Sequence, residues 1–182
     1  MLNIAVFGGS FDPPHIGHET IVNKVLDNLD IDKLIVVPTF LNRFKNQFHL
    51  TPQKRFLLLK ELFQNNSKVE VIDYETKQNK AVATIETIEY IENLYTNINN
   101  IYLIIGSDNL KKLSLWKDFE KLKSKVKFVV VTRENFEVKN DIIKFQTIKM
   151  DINISSSQLR EHLDLDYIPN KIKQKVQKHY AK

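Results

Sequence analysis

The chain has 182 residues, and its 27 Lys and Arg against 22 Asp and Glu give a formal net charge of +5. This length and a hydrophobic content of 42% predict a single globular domain over residues 1–182. The lack of cysteine excludes disulfides, thiolate zinc sites and a cysteine nucleophile. No apolar run could span a bilayer and the first residues lack a basic start, so we expect a cytoplasmic protein without a membrane partner.

Short apolar runs alternate with amphipathic stretches along the chain, which is typical of βαβ units around a parallel sheet. Strands are predicted over residues 3–7, 33–37, 68–72, 101–105, 127–131 and 142–148. Helices are predicted over 17–29, 52–64, 84–95 and 119–125, with two more after residue 155. Thr51 and Pro52 form a strong helix start. The predicted fold class is α/β, a Rossmann-like, mainly parallel sheet with helices on both faces.

Ordinary exposure at the protein surface could explain two lysine-containing stretches. Residues 39–50, which include Arg43 and Lys45, form either a functional loop or an ordinary surface loop. Residues 111–127 alternate acids and bases above an apolar side, which is typical of a solvated face. The basic excess favours a polyanionic partner, but it does not separate a nucleic acid from a nucleoside triphosphate.

Glycine occurs only four times, so each position is informative. Gly8 and Gly9 follow the first strand, Gly17 opens the first helix and Gly106 ends the fourth strand. These are the strand ends at which α/β sheets hold ligands. Arg133 follows a strand in the same way, and its planar guanidinium suits phosphate oxygens.

The segment FGGSFDPPHIGH, residues 7–18, joins the first strand to the first helix. It fits neither the dinucleotide fingerprint nor the P-loop. It offers two glycine N–H groups, the Ser10 hydroxyl and a rigid proline pair that leads into a helix. These features predict an anion site at the start of that helix.

His15 and His18 stand three residues apart, so they share a face of the first helical turn and can both donate to a phosphate. Ordinary polar histidines are the simplest alternative. A zinc pair is disfavoured because helical zinc pairs usually stand four apart and no third ligand is evident. A triad of Ser10, Asp12 and His15 is disfavoured because neighbours on one short loop seldom reach the required geometry.

The segment ISSSQLR, residues 154–160, precedes an amphipathic helical pattern. Ser155 and Gln158 fit a capping box, so the segment could be only a helix start. The same arrangement offers serine hydroxyls and Arg160 to a polyphosphate. Two anion-seeking helix starts together suggest a ligand with several phosphates.

The H-x-G-H sequence after the first strand and the ISS sequence near the end resemble the nucleotidylyltransferase superfamily. Within it, GGSFDPPHIGH is most similar to the nicotinate-nucleotide adenylyltransferases. GSDNLKKLSLW, residues 106–116, matches that family's G-x-D motif and following tryptophan, and ATIETI, residues 83–88, is similar to its substrate-side motif. Class I aminoacyl-tRNA synthetases share HIGH but are much longer.

The resemblance implies adenylyl transfer from ATP to nicotinate mononucleotide, with Mg²⁺ on the triphosphate and no nucleic-acid partner. His15, His18 and Arg160 would be catalytic. No side chain is assigned as a metal ligand, and the oligomeric state stays open. Acceptor-binding residues would be Thr84, Trp116, Arg133 and Lys45. ATP-binding residues would be Gly8, Gly9, Ser10, Phe11, His15, Gly17, His18, Gly106, Asp108, Ile154, Ser155, Ser156 and Arg160.

The chain departs from the family pattern on the acceptor side. PTFLNRFKNQF, residues 38–48, replaces a P-P-H-K sequence, and Ala83 replaces a tyrosine. The choice between a nicotinate and a nicotinamide acceptor therefore stays open, and phosphopantetheine is a further alternative. Outside enzymes, the alternatives are a basic nucleic-acid-binding protein and an ATP-binding regulatory module.

Overall fold

The computed structural model describes residues 1–41, 47–133 and 140–180, with only the backbone of Arg133. The strands are β1 (Leu2–Gly9), β2 (Lys33–Pro38), β3 (Val69–Val71), β4 (Ile98–Gly106), β5 (Lys127–Arg133) and β6 (Phe145–Met150). The α-helices are α1 (Ile16–Asn28), α2 (Pro52–Phe63), α3 (Tyr74–Lys77), α4 (Thr84–Leu94), α5 (Phe119–Lys125), α6 (Ser156–Glu161) and α7 (Lys173–Tyr180). Two 3₁₀ helices cover Ser107–Leu115 and Leu165–Tyr167.

The six strands form one parallel sheet in the order β3-β2-β1-β4-β5-β6. Successive residues of each strand face opposite sides, so the apolar runs supply two cores at once. On one side, Ala5 and Val36 pack with residues of α1, α2 and α7. On the other side, Val6 and Val37 pack with residues of α4 and α5. The predicted α/β class with helices on both faces is confirmed.

Local signals set the helix starts as expected. The Thr51 side chain accepts a hydrogen bond from the Lys54 N–H at 3.3 Å, with Pro52 at the first helical position. Residues 111–127 differ from the prediction of one solvated face. Asp118 adopts a left-handed φ of 50°, which separates the 3₁₀ helix from α5. Lysines of this region pair with α4 glutamates, including Lys125 with Glu92 at 2.7 Å and Lys121 with Glu89 at 2.5 Å.

The sheet order changes direction at β1, which has β2 on one side and β4 on the other. The connections after β1 and β4 therefore leave to opposite faces and open a crevice at the carboxyl ends of these strands, where α/β sheets bind ligands. Gly8 and Gly9 end β1, and Gly106 ends β4. Within the described ranges, no helix has the length and apolar character needed to cross a bilayer.

Candidate active site

The histidine pair lies at the start of α1, beside the β1 end. The two imidazole rings are stacked with centroids 3.7 Å apart, and the Phe11 ring meets His18 edge-on at 4.8 Å. His15 is 4% exposed. A Cβ on Gly17 would stand 3.0 Å from the His15 ring and 3.2 Å from Ile154, so any larger residue would push these side chains apart by a few tenths of an ångström.

The hydrogen bonding of His18 fixes which ring nitrogen carries its proton. Its Nδ1 accepts the backbone N–H of His15 at 3.2 Å. Burial, and next the neighbouring His15, hold the pKa of His18 well below its usual value, so the ring is neutral. A neutral ring that accepts at Nδ1 carries its proton on Nε2. His18 is therefore built to donate one hydrogen bond without carrying a charge.

The histidines line a cavity of about 690 Å³, which we call the histidine cavity. It brings together residues from β1, α1, the end of β4 and the start of α6. Of the predicted ATP-binding residues, it contains Gly8, Gly9, Phe11, His15, Gly17, His18, Gly106, Asp108, Ile154, Ser155 and Ser156. These segments are far apart in sequence, and their convergence agrees with the predicted site.

The start of α6 is attached directly to the loop after β1. The Ser156 hydroxyl donates to the Pro13 carbonyl at 3.1 Å. Ser155 accepts the Gln158 N–H at 3.3 Å, while the Gln158 side chain accepts the Ser155 N–H at 2.9 Å. The predicted capping box is confirmed, and it places both serines at the wall of the histidine cavity.

A second cavity, of about 230 Å³, lies across the β1 and β4 ends, and we call it the acceptor cavity. Thr84, the first residue of α4, and Trp116 both line it. Gly8, Gly9, Gly106 and Asp108 line both cavities and so separate them. Since a Cβ on Gly106 would collide with the Asp108 carboxylate, glycine at 106 lets Asp108 reach this shared wall.

Arg160 and Ser10 occupy a third cavity, of about 560 Å³. The Arg160 guanidinium donates to the Asp12 carbonyl at 2.7 Å and to the Ser157 hydroxyl at 2.8 Å. Ser10 is therefore part of the loop after β1 and Arg160 bonds to that loop, but neither residue lines the histidine cavity. Lys45 and the Arg133 side chain lie outside what the structure describes, so their predicted roles stay predictions.

Arg55 lines the third cavity and binds the loops around it, and the sequence did not identify it as a site residue. Its side chain is 1% exposed and donates to the carbonyls of Ser10, Thr39, Phe40 and Leu50 at 2.6, 2.8, 2.9 and 3.1 Å. The guanidinium therefore joins both ends of the 39–50 loop to the loop after β1. The scarcity of arginine was a usable signal, but Arg55 sits in a helical pattern that looks amphipathic.

Asp12 is a second buried polar residue with a structural role, at 4% exposure. Its carboxylate accepts the backbone N–H groups of His49 and Leu50 at 2.8 and 2.9 Å. It also accepts the Tyr180 hydroxyl at 2.7 Å, from the last turn of α7. Burial, and next the hydrogen bond to Asp12, raise the pKa of Tyr180, so the hydroxyl keeps its proton. Asp12 thus ties α7 to the 39–50 loop, a bonding pattern unlike that of the triad alternative.

Glu75, on α3, is the remaining unexpected residue. It lines the acceptor cavity and is 5% exposed. Burial raises its pKa to about 7, although a hydrogen bond from Thr87 opposes this shift. Nothing in the polar sequence around Glu75 indicates that its carboxyl group would be buried.

Comparison with known proteins agrees with this geometry. A model of the cytidylyltransferase-like family matches residues 6–162. Proteins named "Probable nicotinate-nucleotide adenylyltransferase" are 46% identical in Campylobacter jejuni (100% of this chain, 98% of that one) and 47% identical in Aliarcobacter butzleri (96% and 95%).

Solved structures share the fold at lower identity. The structure titled Plasmodium falciparum nicotinic acid mononucleotide adenylyltransferase complexed with NaAD has a TM-score of 0.79 at 23% identity, over 99% of this chain and 96% of that one. Another structure of the same title, complexed with APC, has a TM-score of 0.75 at 22% identity, over 100% of this chain and 96% of that one. The family model and the sequence relatives together show that the chain belongs to the nicotinate-nucleotide adenylyltransferase family of cytidylyltransferase-like proteins.

Proposed function

We propose that this protein transfers the adenylyl group of ATP to nicotinate mononucleotide, giving deamido-NAD and pyrophosphate. Relatives with this named activity match the chain end to end at about 45% identity, and one structural neighbour is titled as a complex with NaAD. The cytoplasmic location expected from the sequence belongs to the same proposal.

One observation carries the proposal: two cavities meet at a shared wall of glycines and Asp108. A reaction that joins two nucleotides needs two binding sites that open onto one point. The glycines lack side chains, so the phosphates of both substrates can approach each other at the β1 and β4 ends. Asp108, between the cavities, is suited to accept hydrogen bonds from a ribose.

The chemistry requires positioning more than a reactive side chain. A phosphate oxygen of the acceptor attacks the α-phosphorus of ATP, the bond from that phosphorus to the bridging oxygen breaks, and pyrophosphate leaves. The nucleophile is already an anion, so no proton needs to be removed from it. Catalysis then depends on alignment and on hydrogen bonds to charge that develops in the transition state.

His18 is the residue best suited to donate a hydrogen bond to that developing charge. Its Nδ1 is held by the His15 N–H, which leaves the Nε2–H as the donor of a ring that lines the cavity. Because the ring is neutral, it supplies a hydrogen bond without requiring protonation at the pH of the reaction. We assign this donor to the transferred phosphoryl group, and His15 to a neighbouring phosphate.

The remaining ATP contacts follow from the position of α6. Ser155 and Ser156, at its start, would contact the β and γ phosphates in the histidine cavity. Arg160 would approach the same phosphates from the third cavity. Its guanidinium has further N–H groups besides those that bind Asp12 and Ser157.

The acceptor cavity has the parts that a pyridine nucleotide needs. The Trp116 indole offers an aromatic face on which the pyridine ring can stack. Thr84 begins α4, and the first backbone N–H groups of a helix have no acceptor within the helix. Those groups can receive the ring carboxylate. Lys45 and Arg133 stay in the proposal as acceptor contacts.

Mg²⁺ enters the proposal with ATP. The described residues include no group of three or more His, Asp or Glu that could hold a metal, and Asp108 is the only carboxylate lining the histidine cavity. This donor set fits an ion held mainly by triphosphate oxygens and water. When bound, the ion would supply neutralisation of the phosphate charge.

The test is steady-state pyrophosphate release with ATP, Mg²⁺ and nicotinate mononucleotide, for wild type and His18→Ala. Loss of a hydrogen bond made mainly in the transition state lowers kcat by about 100-fold and changes the KM for ATP by less than about threefold. His179→Ala, which removes an exposed histidine on α7, is the matched control and leaves both constants unchanged. An equal kcat in His18→Ala and wild type would contradict the role of His18.

A further inference from the structure

Glu75 contributes an acidic group to the acceptor cavity that the proposed reaction does not yet use. The Thr87 hydroxyl donates to its Oε1 at 2.6 Å. Its Oε2 is buried, and no donor from the described part of the chain bonds to it. The residue as a whole is only 5% exposed. A group in this setting responds strongly to any charge placed in the same cavity.

The charged and titratable groups around Glu75 come from three places. They are Glu86 on α4, Asp108 and Lys117 at the cavity wall, and Asp73, Tyr74 and Lys77 on its own segment. The two lysines have acidic partners already, since Lys117 pairs with Glu86 at 2.6 Å and Lys77 with Asp73 at 2.8 Å. Burial is the largest effect on Glu75, and it raises the pKa to about 7. Both protonation states are therefore populated near neutral pH.

We propose that the protonation state of Glu75 selects the acceptor: neutral Glu75 admits a nucleotide with a ring carboxylate, and ionised Glu75 favours one with a neutral carboxamide. The inference rests on the proposed function, since it concerns the same acceptor cavity. A ring carboxylate is an anion throughout the neutral range, so it is repelled by a second carboxylate in a small, buried cavity. A carboxamide carries no charge and avoids this repulsion.

The experiment compares kcat/KM for nicotinate mononucleotide with kcat/KM for nicotinamide mononucleotide, from pH 6 to pH 9. The acceptor phosphate and ATP titrate alike with both acceptors, so they cancel in the ratio. In the wild type the ratio falls by about tenfold as pH rises, the change expected if the ring carboxylate raises the pKa of Glu75 by one unit. In Glu75→Gln the ratio stays near the wild-type value at pH 6, because glutamine keeps the shape and does not ionise.

Glu89→Gln is the matched control, since it makes the same change on α4 at a half-buried glutamate that does not line the acceptor cavity and pairs with Lys121. It reproduces the wild-type pH profile. Acceptor binding without ATP gives a second readout through Trp116, which is the single tryptophan of the chain and lines the same cavity. In fluorescence titrations of the wild type, we expect nicotinate mononucleotide to bind more weakly at pH 9 than at pH 6, relative to nicotinamide mononucleotide.

A wild-type ratio that does not change with pH would overturn the inference while leaving the proposed function intact. A ratio that changes equally in wild type and Glu75→Gln would overturn it as well, by assigning the titration to another group. Wild-type protein that releases pyrophosphate with neither acceptor would instead overturn the proposed function. If Glu75→Gln does not fold, Thr87→Val takes its place, since it removes the hydrogen bond that lowers the pKa of Glu75. The fall in the ratio then moves to higher pH, and an unmoved midpoint would overturn the inference.

Discussion

Replacement of Arg55 by methionine tests whether the buried guanidinium holds the loops around the site. Methionine keeps most of the side-chain length and removes the charge and all donors. Four carbonyls, those of Ser10, Thr39, Phe40 and Leu50, lose their bonds to the guanidinium at 2.6–3.1 Å. Each such bond contributes about 1.5–3 kcal/mol, but these contributions share one side chain and do not add. Removing one side of a buried charged network costs about 3–5 kcal/mol, which is our expected loss in the free energy of unfolding.

The assay is equilibrium unfolding in urea, followed by the fluorescence of the single tryptophan. Lys54→Met is the matched control, because it removes one positive charge from an exposed position next to Arg55 on α2. It changes the free energy of unfolding by less than about 0.5 kcal/mol. Arg55→Lys restores only part of the loss, because an ammonium cannot reproduce the planar fork. A loss below about 1 kcal/mol for Arg55→Met would refute this account of the loops.

Two further predictions concern buried acids. A carboxyl whose pKa rises to about 7 on folding stabilises the protein fully below its ordinary pKa of 4.5, and this stabilisation is lost as pH rises through 7. The free energy of unfolding of the wild type therefore falls by about 3 kcal/mol between pH 4.5 and pH 8, and that of Glu75→Gln does not show this fall. Urea unfolding at several pH values measures both. The same pH dependence in the two proteins would contradict the burial of Glu75. Tyr180→Phe removes only the hydroxyl that donates to Asp12 at 2.7 Å. It lowers the free energy of unfolding by about 1–3 kcal/mol in the same assay. An unchanged free energy of unfolding would show that this bond does not tie α7 to the site loop.

Strands β1, β2, β4 and β5 were predictable because each contains a short apolar run, as expected for strands that a parallel sheet buries on both faces. The polar ends of strands were less predictable. Strand β4 begins at Ile98, earlier than expected, because Ile98 pairs with Leu2 of β1, and a side-chain hydrogen bond of 2.8 Å also joins Asn100 to Asn3. Strand β6 runs over Phe145–Met150 in place of 142–148, with its register set by pairing to β5. Neither effect has a signal in hydrophobic periodicity.

The same distinction applies to the site. The histidines, glycines and serines sit at predicted strand and helix ends, so the sequence indicated most of the histidine cavity. Arg55 and Glu75 could not be found this way, because their burial depends on which distant loops pack over them. The bond between Asp12 and Tyr180 joins residues 168 positions apart, a separation that no local pattern reveals. Residues at the ends of predicted strands and helices could therefore be identified from the sequence, and hydrogen bonds between distant segments could not.

Pyrophosphate release by the purified protein with ATP and Mg²⁺ tests the central claim most directly, with nicotinate mononucleotide, nicotinamide mononucleotide and phosphopantetheine compared side by side at pH 6.5. Product analysis by mass spectrometry accompanies each reaction. We expect the highest kcat/KM with nicotinate mononucleotide, together with the mass of deamido-NAD. Higher kcat/KM with another acceptor would contradict the proposed substrate and keep the adenylyl transfer. No release with any of the three would contradict the adenylyltransferase activity itself and return the nucleic-acid-binding and regulatory alternatives to consideration.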